Sequence, residues 1–142
     1  MKISRTVAYA VQATLQLAEH PSEAPVPCSQ IASDGHLPER FLLQILRHLV
    51  THGILHSTRG VEGGYALERK PEEISLLDII EAIEGPLNSA LPSDGMAQPY
   101  VERLQHAVEQ VTSVAREQLA AIKLSALMSP VHAGAPAVHG VR

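Results

Sequence analysis

The chain has 142 residues, enough for one domain or one small domain plus an extension, and 45% of them are hydrophobic, which excludes global disorder. Aromatic residues make up 3% and Trp is absent, so the core must be built from Leu, Ile, Val and Ala, a composition that favours helices over a large sheet. One cysteine, Cys28, excludes a disulfide framework within the chain, and a net charge of −4 excludes a broadly basic nucleic-acid coat.

The charge is unevenly spread. Residues 1–70 hold seven Lys/Arg against six Asp/Glu, and residues 71–142 hold four against nine. Within 36–59 the bases are Arg40, Arg47 and Arg59, the only acid is Glu39, and His36, His48, His52 and His56 accompany them. Local charge, more than the total, steers a protein to phosphates, so this segment is a modest basic patch.

The N-terminus, MKISRTVAYAVQATLQLAEH, starts with positive charge, but Gln12, Thr14 and Gln16 interrupt its apolar residues. It reads as an amphipathic helix and not a secretory leader. No run of ~18 apolar residues follows, so no membrane span is expected and a soluble cytoplasmic protein is the expectation. Ser4 can cap a first helix to Glu19, with Val7, Val11, Leu15 and Ala18 on its inner face. His20–Pro27 holds three prolines and reads as a loop. Ser29–Asp34 is a short second helix with Ile31 and Ala32 inward, ended by Gly35.

A third helix starts near Pro38, which suits a first helical turn. Leu42, Ile45, Leu46 and Leu49 recur at helical spacing and form its buried stripe. Arg40, Gln44, Arg47, His48, Thr51 and His52 fall on the other face, and Gly53 stops the helix. Ile54–Ser57 and Tyr65–Leu67 then pair around a Gly-rich turn carrying Arg59. Three helices and an arginine-tipped hairpin make a winged helix-turn-helix, a fold suited to reading DNA. The fold class is therefore mainly α with a small β-hairpin wing.

Ser75-Leu-Leu-Asp78 is a capping-box variant opening a fourth helix through Leu76, Ile79, Ile80 and Ile83, closed by Gly85 and Pro86. Residues 1–86 form the DNA-binding domain on this reading, and 87–99, rich in Pro and small polar residues, a flexible loop. Over 100–128 a long helix carries Val101, Leu104, Val108, Val111, Ala115, Leu119 and Ile122 at steps of three and four. Two packings suit that seam: folding back on its own domain, or pairing with a second copy. At ~1.5 Å per residue the helix is about 40 Å long, more than a small head can cover, which favours the dimer. Residues 129–142 are rich in Ala, Gly and Pro and read as a disordered tail.

These stretches together resemble the Rrf-two family of bacterial winged-helix regulators. The resemblance rests on MKISRTVAYAVQATLQLA, VPCSQIA, FLLQILRHLVTHGIL, STRGVEGGYAL and ISLLDIIEAIEG, and it is the wing motif combined with the last stretch that is specific. It implies a homodimeric transcription regulator, of the repressor type, that binds a near-palindromic double-stranded DNA operator, with long helices crossing at the dimer interface. Carried over by position, it implies base reading by Glu39, Arg40, Leu43, Gln44 and Arg47. Arg and Gln make bidentate contacts to guanine and adenine edges. Arg59 would enter the minor groove, with Gly60 letting the wing backbone approach phosphates, and Lys2, Ser4 and Arg5 would contact phosphates.

Family members that sense redox or nitric oxide carry three cysteines between the fourth helix and the dimer helix, whereas GPLNSALPSDGMAQPYV has none. Thiolates hold iron–sulfur clusters, so the expectation is a member with no cofactor and no metal. Its effector, a small molecule or a protein, would act near Leu87–Tyr100.

Other sites weigh less. His48 and His52 have a chelating helical spacing, but surface histidines beside a DNA phosphate account for them better. Cys28 precedes the second helix, whose N-terminus lowers a thiol pKa, yet a buried inert cysteine is the commoner case. The carboxylates Asp78, Glu81 and Glu84 lie at a helix start and on a solvated face, and no nucleophile–base pair appears, so an enzyme is not expected. The rival reading is a winged-helix module that docks a protein partner, suggested by the acidic total and the modest basic patch.

Overall fold

Ser4 starts the fold. Its hydroxyl accepts the Val7 N–H at 3.1 Å and caps helix α1, Arg5–Ala18. A computed structural model describes residues 1–92 and 94–130 of the chain; the expectation for the tail falls almost wholly outside them. The inner face of α1 is Val7, Ala10, Ala13, Thr14 and Leu17, one step round from the face read in the sequence. Val11, Leu15 and Ala18 are only partly buried at its edge. The small Ala10 and Ala13 allow close approach of neighbouring helices, and Thr14 enters the core because its hydroxyl donates to the Ala10 carbonyl at 2.7 Å.

Helix α2 spans Cys28–Gly35, and α3 spans Glu39–Thr51. Gly35 lies inside the last turn of α2, and His36 takes the left-handed turn expected of the glycine (φ 54°). The glycine serves proximity instead. A Cβ at Gly35 would stand 2.0 Å from Gln16 Oε1, and Gln12 Nε2 donates to the Gly35 carbonyl at 2.8 Å. Helix α3 buries Leu42, Ile45, Leu46 and Leu49, the stripe its periodicity predicts.

Strands β1 (Leu55–Thr58) and β2 (Gly64–Leu67) pair antiparallel with Ser57 opposite Tyr65. The loop after α1 also joins this sheet. Val26 and Tyr65 exchange two backbone hydrogen bonds of 2.9 Å. Gly64 permits this: at φ 153° its absent Cβ would fall 2.4 Å from the Val26 carbonyl. A 3-10 turn at Pro71–Glu73 leads to α4, Leu76–Glu84, opened by the complete Ser75–Asp78 capping box. Its buried residues are Leu77, Ile79, Ile80 and Ala82, with Leu76 and Ile83 at the margin.

Helix α5 spans Gln98–Ala121, two residues earlier at its start and seven shorter at its end than expected. At Ile122 the chain becomes extended. Leu76 N–H donates to the Ile122 carbonyl at 2.8 Å, and Leu124 N–H to the Ile74 carbonyl at 2.7 Å. These bonds stop the helix, and the short α6, Leu124–Leu127, then returns Leu124 to the core. Leu119 packs against Val7, Leu77 and Ile80. Two residues of the predicted seam, Leu119 and Ile122, therefore lie off the exposed face of the helix. Leu119 is buried within its own protomer, Ile122 is off the helix, and Val101, Val108 and Ala115 are half-buried. Leu104 and Val111 remain exposed, and with Tyr100, Ala107 and Val114 they form a new stripe at steps of four and three.

Candidate nucleic-acid interface

The core stripe of α3 dictates what its other face presents. At about 100° per residue, Arg40, Gln44, Arg47 and Thr51 all lie within about 30° of the direction opposite that stripe. All four are exposed. The Thr51 hydroxyl donates to the Arg47 carbonyl at 2.9 Å, so it is turned back on the helix. His48 and His52 are likewise turned back: each Nδ1 stands 2.9 Å from the carbonyl four residues earlier. The long Arg and Gln side chains are left as the outermost groups. Leu43 and Glu39 are also exposed, Leu43 toward the wing side and Glu39 in the first turn.

A groove runs along each flank of α3. One, about 620 Å³, brings Arg5, Thr6 and Tyr9 of α1 beside Arg40, Phe41 and Gln44. The other, about 710 Å³, brings Arg47 beside Arg59, Gly60 and Gly64 of the wing. The predicted residues thus gather on one face in two groups, with α3 between them. Lys2 is exposed just ahead of α1, and Ser4 is half-buried. The Ser4 oxygen is engaged as a helix cap, which leaves its O–H free to donate to a phosphate. Arg59 and Gly60 stand at the exposed turn of the hairpin, where Gly63 N–H closes onto the Gly60 carbonyl at 3.0 Å.

Two residues of this face went unread in the sequence. Phe41, the only phenylalanine, is 62% exposed on α3 and walls the first groove; a helical wheel alone places it off the core stripe. Arg69 sets the base of the wing. Its Nε donates to the Gly53 carbonyl at 3.3 Å, and its guanidinium also reaches the Glu73 carbonyl and Asp78. No local pattern shows this, because the partners lie 16, 4 and 9 residues away.

Of the two sequence readings of Cys28, the surroundings favour the inert thiol over the activated one. Cys28 is half-buried at the first position of α2, and burial, then the nearby Glu39 carboxylate, push its thiol pKa up. Desolvation and a like charge outweigh the helix terminus.

A helix with guanidinium and amide groups outward, held on two supporting helices and flanked by an arginine-bearing hairpin, defines a winged helix-turn-helix module. The comparisons agree. The family model described as "Rrf2: Iron-dependent Transcriptional regulator" matches residues 3–130, and the chain belongs to this family. A helix-turn-helix-type transcriptional regulator of Mycobacterium tuberculosis is 42% identical over 89 residues, 63% of this chain and 55% of that protein. CymR of Bacillus subtilis is 36% identical over 88 residues, 62% of this chain and 64% of CymR. The matched stretch thus spans just over half to under two thirds of these relatives. The solved structure of the same CymR, titled the global cysteine regulator, superposes with a TM-score of 0.71 at 30% identity, covering 89% of this chain and 95% of CymR. IscR of T. potens superposes with a TM-score of 0.69 at 33% identity, covering 89% and 85%.

The family description names iron, and the residues of this chain do not fit an iron–sulfur cluster. Such clusters need several thiolates, and Cys28 is the only cysteine. Among the described residues, no group of three or more His, Cys, Asp or Glu side chains is placed to hold a metal ion. No helix among them is long and apolar enough to cross a membrane.

Proposed function

We propose that the protein represses transcription by binding a near-palindromic operator as a homodimer. The observation that carries this reading is the single exposed face uniting Arg40, Gln44 and Arg47 on α3 with Arg59 on the wing. Arg40, Gln44 and Arg47 read base edges in the major groove, with Leu43 meeting thymine methyls and Glu39 accepting from cytosine. Arg59 enters the minor groove, Gly60 lets the wing backbone approach, and Lys2, Ser4 and Arg5 hold phosphates.

Dimerisation runs through α5, along Tyr100, Leu104, Ala107, Val111 and Val114, whose side chains are exposed. A C2 pair of reading heads set one helical turn apart, ~34–36 Å, matches two half-sites and covers promoter DNA. An effector, small molecule or protein, acts on the linker between α4 and α5 and alters that separation.

Selection of genomic fragments on the purified chain, followed by a salt titration on the selected operator, tests the reading. Affinity should fall steeply with salt, and Arg59→Ala should flatten the log–log slope by about one. The acidic total charge favours the rival protein-docking module. Binding that is absent or insensitive to salt would select that rival.

A further inference from the structure

Helix α5 is anchored on the head near its C-terminal end, where it packs on α1 and α4. Leu119 is its one buried residue among those described. Just before it, Arg116 Nη1 donates to Glu81 Oε2 of α4 and, at 3.1 Å, to the Leu87 carbonyl. The Leu87 N–H donates to the same Glu81 oxygen at 2.7 Å. One side chain from each helix therefore grips both backbone groups of one linker residue. Two residues on, Gln105 Nε2 donates to the Ser89 carbonyl at 2.9 Å, so the linker runs back along α5.

From Arg116 outward, residues 98–115 project as a lever of roughly 27 Å at 1.5 Å per residue. A tilt of about 5° at the base of such a lever moves its far end by roughly 2 Å, most of the 3.4 Å rise between base pairs. The pair is partly exposed, Arg116 at 41% and Glu81 at 25%, so its direct contribution to stability is small. What it sets is an angle. The hydrophobic contact at Leu119 and Ala120 is non-directional and the backbone bonds at Ile122 and Leu124 lie beyond the helix end, while Arg116, Glu81 and Leu87 make a planar, directional clamp on the lever side of both.

The geometry points to Arg116 and Glu81 as positioning residues for operator binding. They fix the angle between the dimer helix and the reading head, and with it the half-site spacing that the dimer accepts. This role rests on the dimeric DNA-reading function proposed above. Neither residue touches DNA.

The test uses the full chain with Arg116→Met, which keeps the methylene stem, and Glu81→Gln, a milder change that keeps an acceptor for Leu87 N–H. Affinity is measured for a single half-site and for operators whose half-site spacing is changed by −1, 0 and +1 base pair. Wild type should prefer one spacing by about tenfold or more. Arg116→Met should lose about tenfold there, accept all three spacings within about twofold, and bind the half-site unchanged; Glu81→Gln should follow in weaker form.

A second measurement needs no DNA. Spin labels at Ser33→Cys and His106→Cys in a Cys28→Ser background, diluted into unlabelled chain, should give one narrow distance, broadened by Arg116→Met. An unchanged spacing preference and distance width would overturn the proposal. So would loss of half-site binding in step with loss of helicity, the mark of a merely structural pair. If wild type binds no operator, the DNA-reading function falls, and the distance width still decides whether the clamp sets the angle.

Discussion

Leu46 has no exposed surface and belongs to the α3 stripe, in the core cluster that α1, α2 and α4 also enter. Leu46→Ala leaves a cavity that packed neighbours refill only partly, so unfolding free energy should drop by about 2–5 kcal/mol, read from denaturant titration. Arg40 and Arg47, on the opposite face, are exposed, and their replacement by Ala should leave that stability nearly unchanged. Cys28 offers a test of local electrostatics. Its pKa is raised by burial and then by Glu39, so at pH 8 less of the folded thiol than of an unfolded thiol, pKa about 8.5, is ionised. Iodoacetamide should modify it more slowly in the folded chain, with the gap closing as pH rises past the folded pKa, and Glu39→Gln should speed the reaction. The sign carries to stability: the unfolded chain releases this proton first, so the thiol's contribution to stability falls as pH rises above the unfolded value.

At the scale of elements, α3 and α5 show two ways to use an apolar stripe. Helix α3 buries four large residues inside one protomer and turns its Arg and Gln side chains outward, with Phe41 and Leu43 beside them. Among the described residues helix α5 buries only Leu119 and leaves Val111 70% and Val114 55% exposed, so its remaining stripe is open to the proposed second chain. Val111→Asp places a carboxylate in that proposed seam while touching nothing buried in the monomer. Sedimentation equilibrium should show the dimer weakened by roughly tenfold or more, with far-UV circular dichroism of the head intact. A dimer of wild-type strength would move the interface off this stripe. The wing is held from both ends, by Val26 on its outer side and Arg69 at its base, which makes the Arg59 turn an extension of a fixed sheet and not a loose loop.

For the whole molecule, the segment between α4 and α5 carries the chain from the reading head to the far end of the lever. Its first residues are held, Leu87 by Glu81 and Arg116 and Ser89 by Gln105. The effector site proposed above falls on the residues further on. Exchange of residues 90–96 for an inert Gly/Ser linker should leave operator affinity within about twofold and abolish release by the physiological inducer in a reporter strain. A loop-exchanged chain that still responds would place the effector elsewhere.

Much of this was legible in the sequence because it is encoded at short range. The α3 stripe, its outward Arg and Gln residues, the Ser75–Asp78 box and the hairpin all follow from spacings of two, three and four residues, which the backbone period alone converts into faces. The tertiary structure decided what those spacings leave open. Several stripes of α5 satisfy the same three-and-four rule, and only the packing of Leu119 on Val7, Leu77 and Ile80, together with the backbone pairing at Ile122, selects which one turns outward. The left-handed turn falls at His36 while Gln12 and Gln16 occupy the space beside Gly35, and the Cys28 thiol was shifted by burial and Glu39 rather than by its helix. Each of these is a contact between distant segments, so no local period carries its signature.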